Sequence, residues 1–291
     1  PKHFIFELEM QAAMINEVDF VAELRDQVTA KTMRLPTLPD VALRVKTAAE
    51  GDCSAQEIAA LVTQDIALSG RLVQVANSPL YRGAVEVNSI KAAVTRLGTK
   101  TVKSLVIAIA MKQMFSTSSK VLSGCFRKIW EDGVQIAAIS RILADGSPEL
   151  DPEEAMLGGL LHNVGALPIL GRLDEMNIDN LDADVIQQLI NEIAPQIGTQ
   201  ILASWNLPEA LIAIPEGCRA FNRDSGPNID YVDIVLASRL QHLFSEGLIE
   251  VTPELSHLPA LEKLGINFEV VVLEDENSSA WAKQIRQSID L

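Results

Sequence analysis

The chain is short of aromatic residues: 8 Phe, 2 Tyr and 3 Trp among 291 positions. Ala, Leu, Ile and Val dominate instead, and strand-like alternation is nearly absent, which points away from sheet architectures. Cysteine is equally scarce. Cys53, Cys125 and Cys218 are scattered, odd in number and outside any zinc spacing, the pattern of reduced thiols in a cytoplasm rather than of a disulfide framework. Each is expected to be a small, buried or partly buried side chain. No apolar run approaches the length of a membrane span, and no basic, apolar leader opens the chain, so neither membrane nor secretion is expected. The net charge is −15 with no basic block, so nucleic acid is not an expected partner. The acidity mainly favours solubility.

What remains reads as helices throughout, in a chain long enough for one large or two small cores. Leu35-Pro36-Thr37-Leu38-Pro39 breaks the chain and starts a helix at Pro39 or Asp40, since proline is tolerated in a first helical turn. Ser54 and Glu57 form a capping box, Asp65 caps the next helix, and Asn77-Ser78-Pro79 stops it. Ser89 starts a short helix that Gly98 ends, and Thr99 is expected to cap the one that follows. Val102 to Met111 is apolar nearly all round, marking a central buried helix that includes Leu105. A joint is expected at Thr117–Lys120, then a long helix from about Gly124 to Ala144. Further helices are expected near 153–162, 183–204, 208–214, 230–245 and 253–264. Phe268 to Leu273 is β-branched but has no pairing partner, so it too is read as helical, and Ser278 or Ser279 caps a final helix. The architecture implied is all-α.

The most informative short segment is Gly159-Leu160-Leu161-His162-Asn163-Val164-Gly165, which follows an apolar helix. His162-Asn163 looks like a metal-binding His-Asp pair whose aspartate has become an amide, and an amide brings no charge and only one weakly donating oxygen. Gly165 is expected to give the backbone a sharp turn.

These residues come in a recognisable order. The Leu35–Pro39 break is followed by Gln64-Asp65-Ile66-Ala67-Leu68, Val75-Ala76-Asn77-Ser78-Pro79 and Ala92–Gly98. Then come Trp130 with Val134-Gln135-Ile136-Ala137, Gly159–Gly165, and Trp205-Asn206-Leu207-Pro208. Together they resemble the HDOD domain, the HD-related output domain of bacterial signalling proteins, over roughly residues 32–240. The resemblance implies an all-α fold of two packed helical halves, the second built like HD phosphohydrolases. It divides the chain into an N-terminal helical extension (1–31), the domain (32–245, with halves 32–116 and 117–245) and C-terminal helices packed on it (246–291).

Carried over residue by residue, the same resemblance removes the enzyme. The first histidine of HD hydrolases matches Asp132, on the helix of Trp130, and the His-Asp pair becomes His162-Asn163. Ala194 stands where the pattern offers another histidine, Cys218-Arg219 where paired histidines would be, and Ser238 near the late aspartate. Pro215 and Gly217 are expected to break the helix there early. A catalytic divalent ion needs three or more protein ligands, so no catalytic residue, metal ligand or cofactor is expected.

His162, Asn163 and Asp132 remain as candidates for a vestigial pocket. Each also has an ordinary role: an imidazole bonded to a neighbouring helix, an amide capping backbone groups, a solvated helix carboxylate. Asp65, Asn77, Ser78, Gly98, Trp130, Gly165 and Trp205 are family-motif positions expected to be structural, with helix capping accounting for Asp65, Asn77 and Ser78. Tyr81 and Arg82 are expected at the surface, while His3, His242 and His257 show no ligand spacing. The favoured function is a non-catalytic signalling module acting through an unidentified signalling protein. The alternatives are a metal-dependent phosphohydrolase acting on a nucleotide or cyclic dinucleotide, and a small-ligand sensor using His162 and Asn163.

Overall fold

The computed structural model describes residues 22–51, 53–114, 120–175, 183–250, 252, 255 and 257–266, and among them every regular element is a helix. Residues 22–29 are helical. Helix α1 (Asp40–Glu50) starts behind Pro39, whose carbonyl accepts from the Leu43 amide. The expected capping box opens α2 (Ala55–Val62), with the Ser54 side chain and Glu57 each satisfying the other's free amide. Asp65 accepts from the Leu68 amide at 2.9 Å to open α3 (Ile66–Ala76), and Ser89 does the same for α4 (Ile90–Leu97).

Gly98, at φ 79°, ends α4, and its carbonyl accepts from the Val102 amide to begin α5 (Thr99–Met114). Thr99 is thus the first helical residue and not a cap: glycine's access to positive φ lets one residue close one helix and open the next. α5 is buried continuously from Thr101 to Met111. α1 packs on it from one side and α7 from another, and the one long residue that interrupts its apolar surface, Lys103, pairs with Glu154 at 3.2 Å.

The second half contains α6 (Lys120–Asp145), α7 (Pro152–Leu161), α8 (Ala166–Glu175) and α9 (Ala183–Ser204), then α10 (Glu209–Ile212), α11 (Ile214–Gly217) and α12 (Tyr231–Ser245). A short α13 (Pro259–Leu264) packs on α12. α6 begins earlier than expected, at Lys120; within the helix expected at 253–264, Leu255 and α13 are helical while His257 lies in a turn. The segment expected as one helix over 208–214 divides at Ala213, because Pro215 has no N–H to return to the turn before it. Most of the joint expected at 117–120, the strand-like Phe268–Leu273 and the final helix near Ser278 lie outside the described residues.

One apolar core runs from Leu24 to Leu261 through both halves. Its tightest contacts are backbone on backbone. A side chain at Gly159 in α7 would sit 2.8 Å from the Ala137 Cα of α6, and one at Gly165 would sit 2.0 Å from the Ala194 carbonyl oxygen of α9. Gly165 is not among the residues at positive φ. It is required by closeness to α9, not by the sharp turn expected of it.

One bond between family motifs ties the two halves together, and others act within a half. Trp205, 3% exposed, donates its indole N–H to the Pro36 carbonyl at 2.9 Å. Asn206 then stops α9 at φ 52°, a conformation asparagine tolerates. Asn77 goes beyond capping: its amide clamps Val87 through both Val87 N and Val87 O, at 2.8 and 2.7 Å. Ser78 is buried with its hydroxyl unpartnered, so capping does not account for it. Tyr81 is half-buried rather than at the surface, and its hydroxyl donates to Glu153 at 3.3 Å; Arg82 is exposed as expected.

Leu105, 2% exposed at the centre of α5, should lose about 2–5 kcal/mol of stability on replacement by Ala. Urea unfolding checks this, and a loss below about 0.5 kcal/mol would contradict the packing described. Gly165→Ala should cost about 1–3 kcal/mol in the same measurement, because the new methyl meets backbone that cannot move aside.

Candidate functional site

The candidate site lies where the end of α7 meets α9, α11 and α12. His162 is the C-cap of α7 and is 4% exposed. Its Nδ1 lies 2.7 Å from the Gly159 carbonyl oxygen, which can only accept, so Nδ1 carries the proton and Nε2 is left as an acceptor. Burial, joined by the nearby charges of Arg239 and Arg219, pushes its pKa down to about 3 despite the Gly159 bond. At neutral pH the imidazole is uncharged.

Asn163 does not cap a helix. Its carboxamide oxygen accepts from Arg219 Nη2 at 3.0 Å. The same guanidinium reaches α9 with Nη1, which lies 3.0 Å from the Asn191 side-chain oxygen and 3.4 Å from its carbonyl. Pro195 stands four residues after Asn191 inside α9 and has no N–H to offer that carbonyl, so Arg219 supplies the missing donor. Next to it the buried Cys218 carbonyl accepts from Arg239 Nη1 at 2.5 Å. Burial and the Arg239 charge lower the Arg219 pKa to about 10, which still leaves it a cation at neutral pH. Burial raises the Cys218 thiol, which is therefore no nucleophile.

Asp132 stands apart from this group in its bonding. It is 2.8 Å from Lys128 and 3.0 Å from His242, with about a third of its side chain exposed. Burial would raise its pKa, but the bonds and charges of His242 and Lys128 outweigh that and hold it below the usual carboxylate value. It is thus a paired carboxylate, neither fully solvated nor bonded to His162. No local pattern marks the His242 contact, across 110 residues. Sequence reasoning also passed over Arg239 and Asn191; the visible signal for the latter was Pro195, which guarantees one donor-less carbonyl in its helix.

The positions where the HD pattern would place ligands hold small, buried side chains. Ala194 is 1% exposed and Cys218 is fully buried. Ser238, also fully buried, donates to the Ile234 carbonyl at 2.8 Å and lies 3.0 Å from the Ser140 hydroxyl.

The HDOD domain matches residues 35–216. The chain belongs to the HDOD family. An HDOD domain protein of unknown function from Geobacter sulfurreducens shares the fold at a TM-score of 0.66 and 20% identity, over 96% of this chain and all of that one. A candidate metal-dependent phosphohydrolase from Shewanella amazonensis SB2B is similar at a TM-score of 0.78 and 26% identity, over 94% of this chain and 99% of that one. An uncharacterized protein of Treponema pallidum (strain Nichols) is 24% identical over 61% of this chain, which spans only 36% of that protein's length.

Likeness to a candidate metal-dependent phosphohydrolase implies a divalent metal centre, and the residues present here do not fit one. A cation would have to displace the Arg219 guanidinium from the Asn163 oxygen and then sit beside two positive charges. Among the described residues no group of three or more His, Cys, Asp or Glu side chains could hold a metal ion. The arrangement suits a negative ligand better than a positive one.

The depressed His162 pKa has a signed consequence. The unfolded chain takes up a proton near the ordinary value of 6.5 while the folded imidazole resists until about 3. The stabilisation is therefore complete above 6.5 and lost as pH falls through that window. Stability curves should slope downward from pH 6.5 toward 3, and His162→Gln should flatten the slope in that range. A histidine ring signal showing His162 protonated at about pH 5, as an ordinary imidazole would be, would contradict its burial.

Proposed function

We propose that this HDOD chain is a non-catalytic signal-transduction module that acts in the cytoplasm through a protein partner. We take residues 32–245 as its working domain, with 1–31 and 246–291 as helical additions. The observation that carries this reading is the bond from Arg219 to Asn163. A cation supplied by the protein already holds the amide that stands in place of the metal-binding carboxylate. Ala194, Cys218 and Ser238 support the same reading, because none of the three is exposed enough to serve a substrate in solution.

A fold can be kept for binding after its chemistry is lost, so fold kinship alone assigns no reaction. A module of this kind works by presenting a surface. Ile66, at the start of α3, is 89% exposed, and Val85 is 73% exposed. They are the most open large apolar side chains among the described residues, and we assign the partner contact to these exposed positions. The competing reading is a metal-dependent phosphohydrolase; its support is the likeness to the Shewanella amazonensis protein.

Nucleoside phosphates and cyclic dinucleotides offered with manganese, magnesium or iron separate the two. We expect no turnover above buffer. Turnover that disappears in His162→Ala would reject the module and restore the hydrolase.

A further inference from the structure

Arg219 and Arg239 bring two positive charges to the His162 site in a chain whose net charge is −15. Both are half-buried, so part of each reaches solvent. Their partners are all neutral: the Asn163 and Asn191 oxygens for Arg219, the Cys218 carbonyl and sulfur for Arg239. Elsewhere Arg25, Arg44, Arg141, Arg172 and Arg223 each lie against a carboxylate, and Arg96 is another that meets only neutral oxygens. Among the described residues neither Arg219 nor Arg239 has a carboxylate within ion-pair distance. The one carboxylate whose charge is felt at His162, Asp132, is taken by Lys128 and His242.

Relieving the proline-freed Asn191 carbonyl accounts for Arg219 alone. It does not account for a second guanidinium placed where the two repel, nor for Arg219 Nε, which is buried without an acceptor. Two like charges held together at a half-buried site are costly unless an anion sits with them. Guanidinium forks match the oxygens of phosphate, and a neutral His162 adds what a metal site lacks. With Nδ1 committed to the Gly159 carbonyl, Nε2 can accept a hydrogen bond but cannot give one. It therefore favours an oxyanion that still carries a proton.

We propose that this site is a receptor for a protonated phosphate group, held between Arg219 and Arg239 with His162 accepting the phosphate's own O–H. The inference rests on reading the site as a remnant that has lost its metal, and it replaces the missing cation chemistry with anion recognition. Near neutral pH inorganic phosphate always keeps a proton, whereas the terminal phosphate of a nucleotide, with its second pKa at about 6, mostly does not. The His162 acceptor therefore favours free phosphate over a phosphate ester.

Calorimetric titration and thermal unfolding of the whole chain with inorganic phosphate test this, with sulfate at equal ionic strength as the control. Sulfate also stabilises proteins by exclusion but carries no proton at neutral pH. We expect saturable phosphate binding and a rise in Tm larger than sulfate gives. Arg239→Gln should weaken binding about tenfold to a hundredfold, the usual worth of a charge-assisted bond. Asn163→Asp should weaken it similarly without unfolding the protein, since the new carboxylate pairs with Arg219 and fills the role of the anion. A nucleoside monophosphate arm distinguishes the sources: tighter binding than phosphate assigns a nucleotide, equal or weaker binding assigns free phosphate. A phosphate effect no larger than that of sulfate, or unchanged affinity in both folded variants, overturns the proposal. Phosphate release from the nucleotide would instead reject the non-catalytic reading and leave the receptor standing.

Discussion

Backbone contact at Gly159 and Gly165 governs where the rest of the second half can lie. A helix pair separated by ordinary side chains can slide or tilt to absorb a change. A pair that meets Cα to Cα has no such slack, because interiors are packed as densely as crystals. α7 meets α6 at Gly159, and the turn after it meets α9 at Gly165. His162 and Asn163 lie between these two points. Their burial, the bond of His162 to Gly159 and the reach of Asn163 to Arg219 all follow from that wedge.

On the proposed reading, the site has exchanged the sign of its electrostatics while keeping its scaffold. In a His-Asp metal centre a carboxylate and a metal balance one another. Here an amide faces a guanidinium, so one negative charge is gone and the positive charge is covalently part of the chain. The cation can therefore neither be lost nor exchanged, and it is anchored on a carbonyl that Pro195 leaves free. A proline that weakens its own helix thus fixes the orientation of a charged side chain in the neighbouring segment. Arg219 relieves the Asn191 carbonyl and holds Asn163 at once, so a single truncation removes both bonds.

The helical architecture was legible because it is written in local signals. Ser54, Asp65 and Ser89 each accept the amide that capping rules assign to them, and the apolar run of α5 is buried all round as its composition demanded. What escaped were relations across the fold. Tyr81 against Glu153, Asp132 against His242 and Arg219 against Asn191 join residues 72, 110 and 28 positions apart, and no periodicity or cap encodes such distances. Gly165 was recognised as necessary but for the wrong physical reason. A sequence shows that a side chain is absent; only the neighbouring helix shows what fills its place.

The bond between Trp205 and Pro36 spans 169 residues and closes the domain on itself. A ribosome must therefore emit the whole second half through α9 before the opening motif can find its partner. Until then the Pro36 carbonyl lacks its indole donor, and the early helices have only each other to cover their apolar faces. Contacts this distant in sequence are slow to form. The nascent N-terminal half thus spends its synthesis as a partly finished surface, dependent on what the cell offers to shield it.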